Sequence, residues 1–179
     1  MRRRNAWLIA VAAVAMAALC CVAAANMVSA EHEGLLHVLQ TDQYQYVLHD
    51  SVSISYTVTN VSGDTMYILF SLVGCPLWNM VYSPGHSLVW SDPMGCVDEA
   101  GWRTLVPDES LCRYSIWDMT VGATGNPISH PGLWIVESHI AAYDPLAFGV
   151  DLLIEILDPT SVPEDALPKT WTSIKAMCR

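Results

Sequence analysis

Positively charged side chains are scarce in this sequence. Its 179 residues include 8 Lys and Arg against 18 Asp and Glu, and three of the eight are Arg2, Arg3 and Arg4. Beyond residue 30, five basic residues therefore face 18 acidic ones, a net charge of −13. Phosphate binding needs clustered Lys and Arg, so we exclude nucleic acid as an expected partner.

Recognisable catalytic and metal-binding patterns are also missing. The sequence has no Gly-Xaa-Ser-Xaa-Gly elbow, no phosphate-binding glycine loop and no zinc signature. Its six histidines are scattered at spacings that make no short ligand motif. Adjacent acidic residues such as Asp98-Glu99 lie in expected turns, where solvation explains them. We therefore predict a protein that is not an enzyme and that needs no cofactor or metal.

Helical periodicity is absent from the middle of the chain, where apolar and polar residues alternate instead. In Ser51 to Asn60, Val52, Ile54, Tyr56 and Val58 alternate with Ser and Thr, which is typical of a half-buried strand. Further strands are predicted at 35–41 (a weak edge strand), 65–71 (mid-sheet), 78–82, 87–90, 102–106, 111–117, 133–143 and 150–156. Eight or nine short strands with turns between them predict an all-β, antiparallel two-sheet β-sandwich.

The first 30 residues have the composition of a secretory signal. A basic Arg2 to Arg4 region precedes the apolar run Ala6 to Ala25, and the small residues around Ala30 predict cleavage after that position. Export then places the protein outside the cell, in the periplasm or in the cell envelope. The alternative is that residues 6–25 stay attached as a membrane anchor, since about 20 apolar residues span a bilayer. We expect no other membrane contact.

The remaining chain divides into three parts. Residues 31–157 carry the strand pattern, and residues 158–169 are rich in Pro and acidic residues, as linkers are. Residues 170–179 form a short amphipathic tail in which Trp171 and Ile174 share a face and Lys175 lies near the end. A helix this short is not stable alone.

Four cysteines follow the predicted signal. Cys75 and Cys96 flank a hairpin predicted between Trp78 and Trp90, and in an oxidising compartment this favours a disulfide between them over two buried thiols. Cys112 shares a strand face with Tyr114 and Ile116, which indicates a core residue. Pairing of Cys112 with Cys178 and a free thiol at Cys178 both stay open.

Several of these segments resemble the BsuPI-type intracellular proteinase inhibitor family. The resemblance rests on Val52 to Asn60 with Ser62-Gly63, on Trp90-Ser91, on Leu105 to Ser110, on Trp117-Asp118 and on Pro131 to Trp134. It implies an immunoglobulin-like sandwich and binding to a proteinase. Asp108 stands where the family usually has a turn Gly, and Trp134 stands where Tyr is usual. No inhibitory residue is carried over.

Tryptophans supply the candidate interaction surface. Core packing is the first interpretation for most of them, but Trp78, Trp90, Ser91 and Trp102 lie beside the irregular loop at 91–101 and could form a recognition patch. We therefore expect an exported protein-binding module whose partner is a proteinase or an envelope component. The alternative is a structural envelope module that is addressed or assembled through its tail.

Overall fold

Strands dominate the computed structural model of this protein. It describes residues 25–70, 76–92, 101–143 and 146–161, and within these ranges it contains one 3₁₀ turn (Gly122–Thr124) and no α-helix. The all-β class is therefore confirmed, whereas the predicted N-terminal apolar helix lies outside the described residues. The strands are β1 Asn26–His32, β2 Leu35–Thr41, β3 Gln45–Val47, β4 Val52–Asn60, β5 Met66–Leu69, β6 Leu77–Tyr82, β7 Leu88–Ser91, β8 Trp102–Leu105, β9 Ser110–Trp117, β10 Thr120–Val121, β11 Asn126–Pro127, β12 Gly132–Ile140 and β13 Gly149–Leu157.

The first large sheet has four antiparallel strands in the order β1-β2-β4-β9. Strand β4 shows the predicted alternation, because every second residue from Val52 to Asn60 is buried. The prediction that Leu35–Thr41 forms an edge strand was wrong. β2 pairs with β1 on one side and with β4 on the other, so β1 is the edge strand.

Strand β1 extends across the predicted domain boundary at residue 31. Strand β1 begins at Asn26 and pairs along its whole length with β2, from Asn26 opposite Thr41 to His32 opposite Leu35. Five residues that were assigned to the signal thus belong to the sheet.

The second large sheet has five strands in the order β3-β13-β12-β6-β7. Its neighbours are antiparallel except for β3, which runs parallel to β13. The predicted hairpin between Trp78 and Trp90 is confirmed by the pairing of β6 with β7. On β12, the side chains of Trp134, Val136, Ser138 and Ile140 are buried and face the core.

Two small sheets complete the strand pairing. Residues 65–71 were predicted to lie in the middle of a sheet, but β5 pairs with β8 in a two-stranded sheet, and only Phe70 forms an isolated bridge, to Ala142, among the described residues. The turn at 107–109 joins β8 to β9, which lie in different sheets. Strands β10 and β11 pair with each other between β9 and β12.

Inward side chains of the two large sheets share one core. The rings of Trp117 on β9 and Trp134 on β12 lie 5.5 Å apart across the two sheets. A buried polar chain also links the sheets, because the Asn79 amide donates to Ser115 Oγ at 2.7 Å and accepts from Ser138 Oγ at 2.6 Å. Ser115 in turn donates to Asp92 at 2.6 Å. Each partner is satisfied, which makes burial of these groups tolerable.

Asn60 organises the corner after β4. Its side chain is buried and donates to the carbonyls of Asp64 at 2.7 Å and Leu105 at 2.9 Å. Its Oδ1 accepts from the Ser62 hydroxyl at 2.7 Å. These bonds hold β4 against the end of β8 and fix where the chain leaves the sheet.

In the part of the chain described, no helix has the length and apolar character needed to cross a membrane.

Candidate functional site

The outer side of the five-stranded sheet is unusually apolar for a surface that faces solvent. Inward and outward residues alternate along β6, β12 and β13, and the inward ones are buried in the core. The outward ones include large apolar side chains. We call this surface the aromatic face and define it by Trp78, Tyr82, Leu88, Leu133, Ile135 and Leu153.

Strand register makes the aromatic face continuous. Ile135 lies opposite Tyr82 on one side and opposite Leu153 on the other, and Tyr82 lies opposite Leu88. Apolar side chains thus form one row across four strands. Leu88, Leu133 and Leu153 are between 50% and 55% exposed, so this row meets solvent.

Trp78 and His139 close one end of the aromatic face. Their rings stack with centroids 5.8 Å apart and an interplanar angle of 21°. Gly149 lies opposite His139, and a Cβ at that glycine would come within 3.3 Å of His139 Cβ. The absence of a side chain at Gly149 therefore leaves room for His139. Burial lowers the pKa of His139, and the nearby Glu137 carboxylate partly opposes that shift.

Carboxylates border the aromatic face. Glu137 and Asp151 lie directly opposite each other on β12 and β13. Burial raises the pKa of Tyr82, and the negative charges of Glu137 and Asp151 raise it further. Glu155 is the third acidic residue, and it accepts a hydrogen bond from Gln45 at 2.8 Å. Glu137 Oε1 also lies 3.8 Å from His139 Nδ1. Like charges in opposite positions destabilise a strand pair.

The outer side of the four-stranded sheet has a different character. Its central strand β4 presents Ser53, Ser55, Thr57 and Thr59 outward. Exposed apolar residues are found there mainly on β9, where Tyr114 is 60% and Ile116 is 57% exposed. The two outer sheet surfaces thus differ in chemistry, and the aromatic face is the more continuous apolar surface.

The structure separates the four residues of the predicted interaction surface. Trp78 belongs to the aromatic face, and Ser91 lies opposite Met80 on the same side of the sheet. Trp90 is only 9% exposed and packs in the core, which corrects its assignment to a surface patch. Trp102 is 66% exposed on β8 in a separate two-stranded sheet.

Other predicted site residues fall outside the described ranges. These are Cys75, Cys96, and the tail residues Trp171, Ile174 and Lys175. Cys112 is described and carries a free, exposed thiol on the outer side of the four-stranded sheet, so its assignment to the core was wrong. Among the described residues, no three His, Cys, Asp or Glu side chains are grouped so that they could hold a metal ion.

Most of the aromatic face was missed at the sequence level, although a signal for it was present. In β12 the residues between the buried positions include Leu133 and Ile135, and in β13 they include Leu153. Strands that face water on one side normally carry polar residues at such positions. Only the strand register reveals that these three side chains lie side by side.

Comparisons with known proteins reveal no family for this chain. No family model matches it, and no curated protein matches it. A β-glucosidase from Erythrobacter marinus aligns with 74% of this chain and 16% of its own, at 12% identity and a TM-score of 0.40. The sporulation control protein Spo0M from Bacillus subtilis aligns with 70% of this chain and 50% of its own, at 9% identity and a TM-score of 0.47.

A third similar structure is a CARDB domain from Pyrococcus furiosus, with 63% of this chain and 85% of that one aligned at 11% identity and a TM-score of 0.33. This chain spans 16% of the β-glucosidase and half of Spo0M.

Proposed function

We propose that this protein is an exported, non-enzymatic protein-binding module that contacts its partner through the aromatic face. The observation that carries the proposal is the row of apolar side chains, from Leu88 through Tyr82 and Ile135 to Leu153, on the solvent side of a sheet. Continuous apolar surfaces rimmed by polar residues are typical of protein interfaces. Trp and Tyr are frequent anchors in such interfaces.

The charge around the aromatic face favours one kind of partner. Glu137, Asp151 and Glu155 border it, and the five strands of this sheet contain no Lys or Arg. A partner surface with an apolar centre and a rim of Lys or Arg would neutralise the opposed Glu137 and Asp151 carboxylates. We therefore propose a protein partner of that chemistry, which is a proteinase or an envelope component.

The fold proposal is an immunoglobulin-like β-sandwich of the BsuPI type. Its support is that two antiparallel-rich sheets share one core, and that β4, β9 and β12 coincide with the segments on which the resemblance rests. Export is proposed from the basic start and the apolar run of residues 1–25. A proteinase inhibitor that acts outside the cell would combine these features.

Site-specific photo-cross-linking tests the binding surface. A photoreactive phenylalanine analogue replaces Leu153 on the aromatic face or, as a matched control, Ile116 on the opposite sheet, since both residues lie in strands and are at least half exposed. In cells that export the full chain, we expect a discrete protein adduct from position 153 and none from position 116. Equal adduct patterns from the two positions would contradict the proposal.

A substitution pair measures the contribution of the same surface. With the captured partner in purified form, Leu153→Asp should weaken binding at least tenfold, and Ile116→Asp should leave it unchanged. Affinity should also fall as salt is added, because screening weakens attraction between carboxylates and basic residues.

A panel of serine, cysteine, aspartic and metalloproteinases tests the inhibitor proposal, and no inhibition at micromolar protein would refute it.

The chain's own tail favours a second candidate function. Residues 170–179 contain two basic residues, no acidic residue, and the apolar Trp171 and Ile174, so their chemistry complements the aromatic face. The protein would then be a structural envelope module assembled through its tail. Cross-links from position 153 to the tail of another copy would support this candidate and replace the first one. Unchanged localisation and oligomeric state after deletion of residues 170–179 would refute it.

A further inference from the structure

Strand β1 is tied into both large sheets. All seven of its residues pair with β2, and the inward side chains of Val28 and Ala30 pack against the core. His32 stacks on Phe148 with ring centroids 4.5 Å apart. The Asn26 side-chain amide donates to the carbonyl of Leu153 in the five-stranded sheet at 2.6 Å. The attachment of β1 to both sheets thus starts at its first residue.

Cleavage after Ala30 would break these attachments. It would remove Asn26 to Ala30, which are five of the seven strand residues. Ala30 lies opposite His37, and Val28 lies opposite Leu39. Both partners have no exposed surface in the intact fold. Without β1, the long strand β2 would become an uncovered sheet edge beside the core, which is a site for unwanted strand pairing.

The sequence offers a second cleavage position directly before the strand. Ala23, Ala24 and Ala25 follow the apolar run, and small residues at the first and third positions before a cut are the signature of signal cleavage. Val28 and Ala30 meet the same requirement less well, since Val is larger than Ala. Ala25 is exposed and precedes the first strand residue, so a cut after it leaves every pair of β1 intact.

We propose that the export signal ends at Ala25 and that the mature protein begins at Asn26. The processing site is Ala23-Ala24-Ala25, and strand β1 is the first element of the mature fold. This inference rests on the proposed export of the protein, but it does not depend on the identity of the binding partner. It makes the segment 26–30 part of the functional molecule.

Intact mass spectrometry of the full chain, produced in cells with an active export route and recovered from outside the cytoplasm, tests the proposal. A mass that corresponds to residues 26–179 is the expected result. A mass that corresponds to residues 31–179 would overturn the processing site but leave export in place. Retention of Met1 would also overturn it, and the compartment in which that species is found then shows whether export fails as well.

Matched substitutions locate the cut independently of the final fold. Ala25→Val and Ala30→Val place the same larger side chain directly before the two candidate cleavage positions. In a pulse-chase measurement, Ala25→Val should slow conversion of the precursor at least tenfold, and Ala30→Val should leave the rate unchanged. The opposite pattern, or equal rates for both variants, would overturn the proposal. The rate of precursor conversion reports on cleavage even when a variant folds poorly.

Discussion

Individual buried polar side chains make the stability of this fold depend on pH, and His37 is the clearest case. It has no exposed surface, and its Nδ1 lies 2.7 Å from the Tyr56 hydroxyl. No described residue supplies a hydrogen-bond partner for its Nε2. Burial, with a smaller contribution from the charge of His32, lowers the pKa of His37 to about 4. The folded state therefore holds a neutral imidazole.

We expect stability to fall in mild acid because of His37. The unfolded chain binds a proton near the ordinary pKa of 6.5, whereas the folded chain does so near 4. The part of the free energy of unfolding that depends on a neutral His37 is fully present above pH 6.5. It is lost as the pH falls toward 4, by about 3 kcal/mol in total. Urea denaturation at several pH values should show that the free energy of unfolding depends less steeply on pH in His37→Gln than in the unsubstituted protein. His130→Gln, at an exposed position, is the control, and equal slopes in all three proteins would contradict this expectation.

Asp108 provides a second test at the scale of one residue. Its φ angle is +65°, in the region that favours glycine, and its N–H donates to the Asn60 carbonyl at 2.9 Å. Asp108→Gly should therefore raise the free energy of unfolding by about 0.5 kcal/mol, because relief of strain slightly exceeds the added chain entropy. The opposite kind of change, from glycine to a residue with a side chain, is Gly63→Ala, which should lower the free energy of unfolding by about 1 kcal/mol.

Chemical denaturation measures both changes. Gly63 has a φ of +81°, and no atom lies within 4 Å of the point that a Cβ would occupy, so Gly63→Ala reports on backbone strain alone. A loss of stability in Asp108→Gly would show that the Asp108 side chain does more than occupy the turn.

At the scale of single elements, β1 decides whether the four-stranded sheet keeps a protected edge. We expect a chain that starts at Glu31 to be less stable than one that starts at Asn26 by at least about 3 kcal/mol. It loses the packing of Val28 and Ala30 and most of the pairing with β2. Urea denaturation of the two purified chains measures the difference.

The outward residue Met27 supplies the control for that comparison. Its side chain is 61% exposed, so Met27→Ala in the longer chain should change stability by no more than about 0.5 kcal/mol. Equal stability of the chains that start at Asn26 and Glu31 would mean that β1 contributes little to the fold.

At the scale of the whole molecule, the two large sheets should unfold together. They share one core, Trp117 meets Trp134 across it, and Asn79 links Ser138 to Ser115 between the sheets. Tryptophan fluorescence and far-ultraviolet circular dichroism should therefore give coincident urea transitions. Separate midpoints for the two signals would show that one sheet persists without the other.

The distribution of charge over the whole molecule affects which partner it attracts. Arg103 and Arg113 are the only Lys or Arg side chains in the described ranges, and neither lies on the five-stranded sheet. Arg113 pairs with Asp92. The acidic border of the aromatic face is therefore part of a surface with few compensating charges, which would steer a basic partner toward the protein.

The sequence by itself determined the strand content and most strand faces. Val52 to Val58 alternate so regularly with Ser and Thr that only one face of that strand can be buried. The hairpin of β6 and β7 was also predictable, since Pro84-Gly85 between two apolar runs is strong local turn chemistry. These features depend on residues that are close together in the sequence, so a sequence pattern is enough to reveal them.

Only the tertiary structure decided which strands pair and what their outer faces carry. The turn at 107–109 looks like a hairpin, yet β8 and β9 belong to different sheets. Likewise, only the tertiary structure reveals that Asn26 to Ala30 pair with β2. The aromatic face exists only through the register of β6, β7, β12 and β13, since contacts between distant segments leave no period in the sequence.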